Sequence, residues 1–85
     1  MDISRAEQRV LHILAQGGRI DIEKDDTGLI IDLSCVTREG WHLACLDMTL
    51  FRKLKRKRAI RSVNGGPYRI TRRGLELVRS QPDNR

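Results

Sequence analysis

Apolar residues at Ala6, Val10, Ile13 and Leu14, widened by Leu11, mark one face of a helix. Ser4 and Glu7 stand ahead of it at capping-box spacing, and Gly17-Gly18 ends it. From Arg19 the period changes. Arg19-Ile20-Asp21-Ile22-Glu23 alternates polar with apolar, as a half-buried strand does, and Asp25-Asp26-Thr27-Gly28 supplies a turn. Leu29, Ile31, Leu33 and Cys35 then share one face of a second strand, with Asp32 and Ser34 on the other. Arg38-Glu39-Gly40 makes a further turn into a short extended run, Trp41-His42-Leu43.

The second half returns to helical spacing. Asp47 or Thr49 caps a helix whose inward residues are Leu50, Phe51 and Leu54. Ile60 to Val63 and Tyr68 to Ile70 form a hairpin around Asn64-Gly65, with Val63, Tyr68 and Ile70 on one face. Thr71 caps a last helix with Leu75 and Val78 inward, and residues 81–85 form a loosely held tail. The pattern predicts an α+β fold, a winged-helix-like small domain spanning residues 1–80. It has three helices, a C-terminal β wing, and an inserted N-terminal hairpin or meander where a plain winged helix has a helix.

Charge divides the chain in two. Residues 1–47 carry five Lys/Arg against nine Asp/Glu, and residues 48–85 carry twelve against two. A net −4 followed by +10 points to a strongly negative partner for the C-terminal half. The alternative is a solvated basic face with no specific partner. The candidate contacts are Arg52, Lys53, Lys55, Arg56, Lys57 and Arg58 on the basic helix, Arg61 and Arg69 on the wing, and Arg72 and Arg73 after it. With six or seven of these on phosphates, log affinity falls against log salt with a slope of roughly −5 to −6. The basic helix offers no Asn or Gln to pair with adenine, so these cations position a backbone rather than read bases. Trp41, Phe51 and Tyr68 are the only aromatic residues, too few for a stacking platform.

Catalytic chemistry is thin. His12 and His42 have no partner at triad spacing, and Cys35, His42, Cys45 and Asp47 match no metal-ligand pattern. No phosphate loop follows either glycine pair. The expectation is a non-enzymatic protein without a cofactor. Cys35 and Cys45, the two cysteines, read as reduced structural thiols, although a disulfide between them stays open. No signal-peptide pattern or membrane-length apolar run is present, which places the protein in the cytoplasm by elimination.

Read together, Ser4-Arg5-x-Glu7-Gln8-Arg9, Leu11-His12-x-Leu14-Ala15, Gly17-Gly18-Arg19-Ile20, Arg38-Glu39-Gly40 and Phe51-x-Lys53-Leu54-Lys55 form an ordered set. It continues in Ser62-Val63-Asn64-Gly65-x-Pro67-Tyr68-Arg69-Ile70, Gly74-Leu75, Val78-Arg79 and Gln81-Pro82-Asp83-Asn84-Arg85. This set resembles the YjhX-like family of small bacterial toxins, also called topoisomerase I inhibitors. The resemblance implies a toxin of a toxin–antitoxin pair that interferes with DNA topoisomerase I, paired with an acetyltransferase-like antitoxin. It carries over no residue-level site. Ala44-Cys45-Leu46-Asp47-Met48-Thr49 departs from the family's order of an acidic residue just before Cys-Thr. Two other readings fit the charge: a winged-helix transcriptional regulator, and an RNA- or ribosome-associated accessory protein. The small core also makes room for a homodimer.

Overall fold

The computed structural model describes residues 3–80, so the tail expected at 81–85 lies outside the described residues. The elements are α1 (Arg5–Ala15), β1 (Arg19–Lys24), β2 (Ile30–Val36), β3 (His42–Leu43), α2 (Met48–Arg56), β4 (Ile60–Ser62), β5 (Tyr68–Ile70) and α3 (Arg72–Arg79). The strands make one antiparallel sheet in the order β3-β2-β1-β5-β4. The N-terminal meander is therefore not a free-standing insertion. Ile20 of β1 pairs with Tyr68 of β5, which joins meander and wing into a single sheet. Two three-residue strands are too short to stand alone, and β1 offers them an unpaired flank.

Pairing sorts the strand residues by face. Ile20, Cys35, Tyr68, Ile60 and Ile70 fall on one side, where they join Val10, Leu11, Leu14, Phe51, Leu54, Leu77 and Val78 from the helices. Arg19, Asp21, Glu23, Asp32, Arg61 and Arg69 have the opposite parity and point away from that core. The result is a helical layer over one face of the sheet.

Each helix start is anchored by its own sequence. Ser4 Oγ accepts from the Glu7 N–H at 3.1 Å while Glu7 Oε1 accepts from the Ser4 N–H at 2.9 Å, a complete capping box. At the far end of α1, the Gly18 N–H donates to Ile13 O and the Gly17 N–H to Leu14 O, the paired bonds of a Schellman exit. Asp47, not Thr49, caps α2, accepting from the Leu50 N–H at 2.7 Å. Thr71 caps α3 and also donates its hydroxyl proton to Arg58 O at 2.6 Å, tying the start of α3 to the end of α2.

Tight packing at that junction explains Gly74. A Cβ there would sit 2.4 Å from Ala59 O and 2.6 Å from Ile70 Cγ1. A backbone carbonyl cannot swing aside as a side-chain tip can. Gly74→Ala is expected to lower stability by about 2 kcal/mol despite alanine's better helix propensity. A urea melt checks it, and a neutral or stabilising result would mean that α3 is free to shift off β4.

Several inward assignments differ in the structure. Ala6 is exposed, and Glu7 occupies the buried place on α1. Leu77 is buried in α3, while Leu75 is only half-buried. Leu29 and Ile31 are exposed rather than inward, because an irregularity after Glu23 pairs Lys24 with Ile30 and leaves Ile31 as the extra residue. Val63 is exposed because it opens the turn instead of extending β4. Gly66 N–H donates to Val63 O, and Asn64 and Gly65 have φ of 55° and 72°, the primed geometry that suits Asn-Gly.

Candidate functional site

The basic helix presents its cations as a ridge. With Leu50, Phe51 and Leu54 buried, a rotation of about 100° per residue puts Arg52 and Arg56 on the outer pole, with Lys53 and Lys55 on its two shoulders. All four are exposed. Arg52 and Arg56 are like charges one turn apart, an arrangement that destabilises a helix unless something negative lies over it. Lys55 leans back over the sheet. Its Nζ lies 5.6 Å from the ring centroids of both Phe51 and Tyr68, which meet edge-to-face at 5.0 Å.

Lys57 faces elsewhere. Its Nζ donates to both carboxylate oxygens of Glu7, at 2.9 and 2.7 Å, and the Glu7 side chain is only 3% exposed. Burial pushes the Glu7 carboxyl up. The hydrogen bonds from Lys57 and Ser4, with the Lys57 charge, outweigh burial and hold it below its ordinary value. The pair clamps the start of α1 to the end of α2.

Arg58, Arg72 and Arg73 gather at the α2–α3 junction, all exposed. Arg58 takes a left-handed φ of 58° as the chain turns from α2 into β4. The first turn of α3 has no acidic residue, and Arg73 lies 4.0 Å from Glu76 further along. Cations at a helix start oppose the dipole, so this corner is strongly positive.

Arg61 and Arg69 lie on the other side of the molecule. They are directly paired on β4 and β5, pointing away from the core. Extending the Ile20–Tyr68 register by one residue puts Arg19 beside Arg69. Three arginines thus stand abreast on neighbouring strands, about 4.8 Å apart along the backbone ladder. Arg19 also pairs with Asp21 at 3.0 Å. The sequence reading missed Arg19 because its alternation gives a face but not a neighbour. The ten candidates therefore occupy three surfaces, and one of them, Lys57, is engaged inside the fold.

The acidic half has its own concentration. Glu23 and Asp32 are directly paired, both exposed, on the face that carries the arginines but further along the strands. Among the described residues no group of three His, Cys, Asp or Glu side chains is placed to hold a metal ion. Cys35 and Cys45 are free thiols. Burial pushes the Cys35 thiol up to about 12, and the neighbouring Cys45 adds to the shift, so Cys35 is no nucleophile at neutral pH. No helix among the described residues is long and apolar enough to cross a membrane.

Comparison with known proteins agrees along the full length. The YjhX toxin family, described as "Putative toxin of bacterial toxin-antitoxin pair", matches residues 1–85. The chain belongs to this family. Relatives include a UPF0386 protein of Chelativorans sp. (strain BNC1), 75% identical with both chains fully covered. Another, from Hyphomonas neptunium, is 68% identical over 99% of each chain, and a third, from Rhodospirillum centenum, is 68% identical over 100% of this chain and 99% of its own. No solved structure matches this YjhX-family chain. As a toxin of such a pair, a YjhX-family protein implies an antitoxin partner.

Proposed function

We propose that this chain is a non-enzymatic toxin that interferes with DNA topoisomerase I in the cytoplasm by occupying the DNA on which that enzyme acts. The observation that carries the reading is the exposed ridge of Arg52, Lys53, Lys55 and Arg56 on a helix packed rigidly through Phe51 and Leu54. A packed helix presents its cations to a phosphate backbone with only side chains left to order, and the absence of base-reading amides on it suits sequence-independent contact. In this reading α2 and the β4–β5 hairpin serve as the helix and wing of a winged-helix-like module. The acetyltransferase-like antitoxin implied by the resemblance binds elsewhere.

The geometry revises the expected salt dependence. With Lys57 held by Glu7, and Arg61 and Arg69 on the far face, one duplex on the ridge meets about four cations, which gives a log–log slope near −3.6. Titrating duplex DNA at several salt concentrations checks this. A slope steeper than about −5 would mean that cations beyond the ridge, at the α2–α3 corner or on the far face, also engage. Plasmid relaxation by topoisomerase I, with and without the protein, tests the function. Inhibition that fades as salt weakens DNA binding supports DNA masking. Full relaxation at saturating protein removes the proposal.

A further inference from the structure

The β2 flank points to a second binding surface, for a protein rather than a polyanion. β3 pairs with β2 only at Cys35 and Val36. After Leu43 the chain peels away to begin α2, so β2 from Ile30 to Ser34 has no strand neighbour on that side among the described residues. A groove of about 260 Å³ runs there, with Ile30 to Leu33 along one wall and Leu46 to Met48 along the other. Half-buried Leu33, Leu46 and Met48 supply apolar contact on its inner side, exposed Ile31 continues it, and Asp32 and Asp47 add carboxylates to its walls. On the outer side, Asp32 stands directly against Glu23 of β1, a pair of like charges that a nearby cation relieves.

We infer that this groove takes an extended segment of a partner protein, added as a strand beside β2, with apolar and basic residues in alternation. An unpaired strand flank supplies backbone donors and acceptors to any added strand. Alternation follows from the pleat. One set of side chains falls on Leu33, Leu46 and Met48, and the other lies beside Asp32, with Glu23 one strand further on. Charge decides the class of occupant: carboxylates repel a nucleic acid and attract lysine or arginine. A second copy is a poorer fit: its β4 edge has only three residues, Ile60–Ser62, and its own β2 flank, paired antiparallel across residues 30–34, would set Asp32 against Asp32. This surface is independent of the DNA reading, because it uses the acidic half of the chain.

Synthetic octapeptides test it with the intact protein. A valine–lysine alternating peptide is expected to shift the backbone NMR signals of residues 30–34 and slow amide exchange there. A valine–glutamate peptide should fail at this groove, although the α2 ridge will attract it. Asp32 is exposed, so Asp32→Lys folds normally and should reverse the preference at the groove, by about tenfold in affinity at low salt. The inference fails if an alanine–lysine peptide binds as well as the valine–lysine one, or if Asp32→Lys leaves the preference unchanged. Concentration-dependent protection of residues 30–34 without peptide would also overturn it, by showing a second copy in the groove.

Discussion

Replacing Lys57 with methionine is expected to destabilise the fold by about 3 kcal/mol at neutral pH, more than a loss of surface charge would. The cost arises at Glu7. That carboxylate is buried, and without Lys57 it keeps only its bonds to Ser4 to offset desolvation. The pH dependence gives the mechanism away. In the native protein the Glu7 carboxyl titrates below its ordinary value of 4.5, so its contribution is full above that value and is lost as pH falls through the lowered one. In Lys57→Met the Lys57 contributions vanish while burial stays, so the carboxyl moves up from its lowered value and the variant loses less stability than the native protein as Glu7 takes up a proton. The gap between native and variant should thus be widest near neutrality and narrow in acid. Urea melts at neutral pH and near pH 3.5 measure both. A gap that stays constant would mean lost packing by the lysine stem rather than an unpaired charge. Glu7→Gln should be milder, since an amide still accepts from the Ser4 N–H and the Lys57 side chain, 21% exposed, can turn to water.

Neutralising the ridge, with Arg52, Lys53, Lys55 and Arg56 all changed to Gln, is expected to weaken duplex DNA binding by about a hundredfold or more and to flatten the salt slope by 3 to 4. Stability should hold or rise slightly, because Arg52 and Arg56 no longer repel across a turn. A matched triple variant, Arg19, Arg61 and Arg69 to Gln, removes the arginine row on the far face instead. If the ridge is the contact, the triple variant binds almost as the native protein does. If the triple variant loses binding and the quadruple one does not, DNA lies across the sheet and the proposed placement is wrong. Circular dichroism on both variants separates lost binding from lost fold.

Sequence patterns gave the local structure well and the tertiary neighbours poorly, for a physical reason in each case. Ser4, Asp47, Thr71, Gly17 and Asn64-Gly65 act within a few residues of themselves, so their roles as caps, exit and turn were legible. The inward positions of Phe51 and Leu54 followed from helical period alone. Lys57 was different. Nothing in the run Arg52 to Arg58 distinguishes it from its neighbours, and its partner Glu7 lies 50 residues upstream. The arginine row depends on which strand lies beside β5, and period-two alternation carries no such information. Ile31 shows a third kind of gap, where one extra residue in a strand exposes a side chain that strict alternation would bury.

The seam between β1 and β5 also bears on how the chain is made. Synthesis delivers the β1–β2 hairpin well before Tyr68, the residue through which β5 covers the other flank of β1. Until then β1 has one open side, and until Lys57 is made the Glu7 carboxylate lacks the cation that pairs with it. A chain stopped before Tyr68 would leave that side of β1 open, an edge able to pair with another strand.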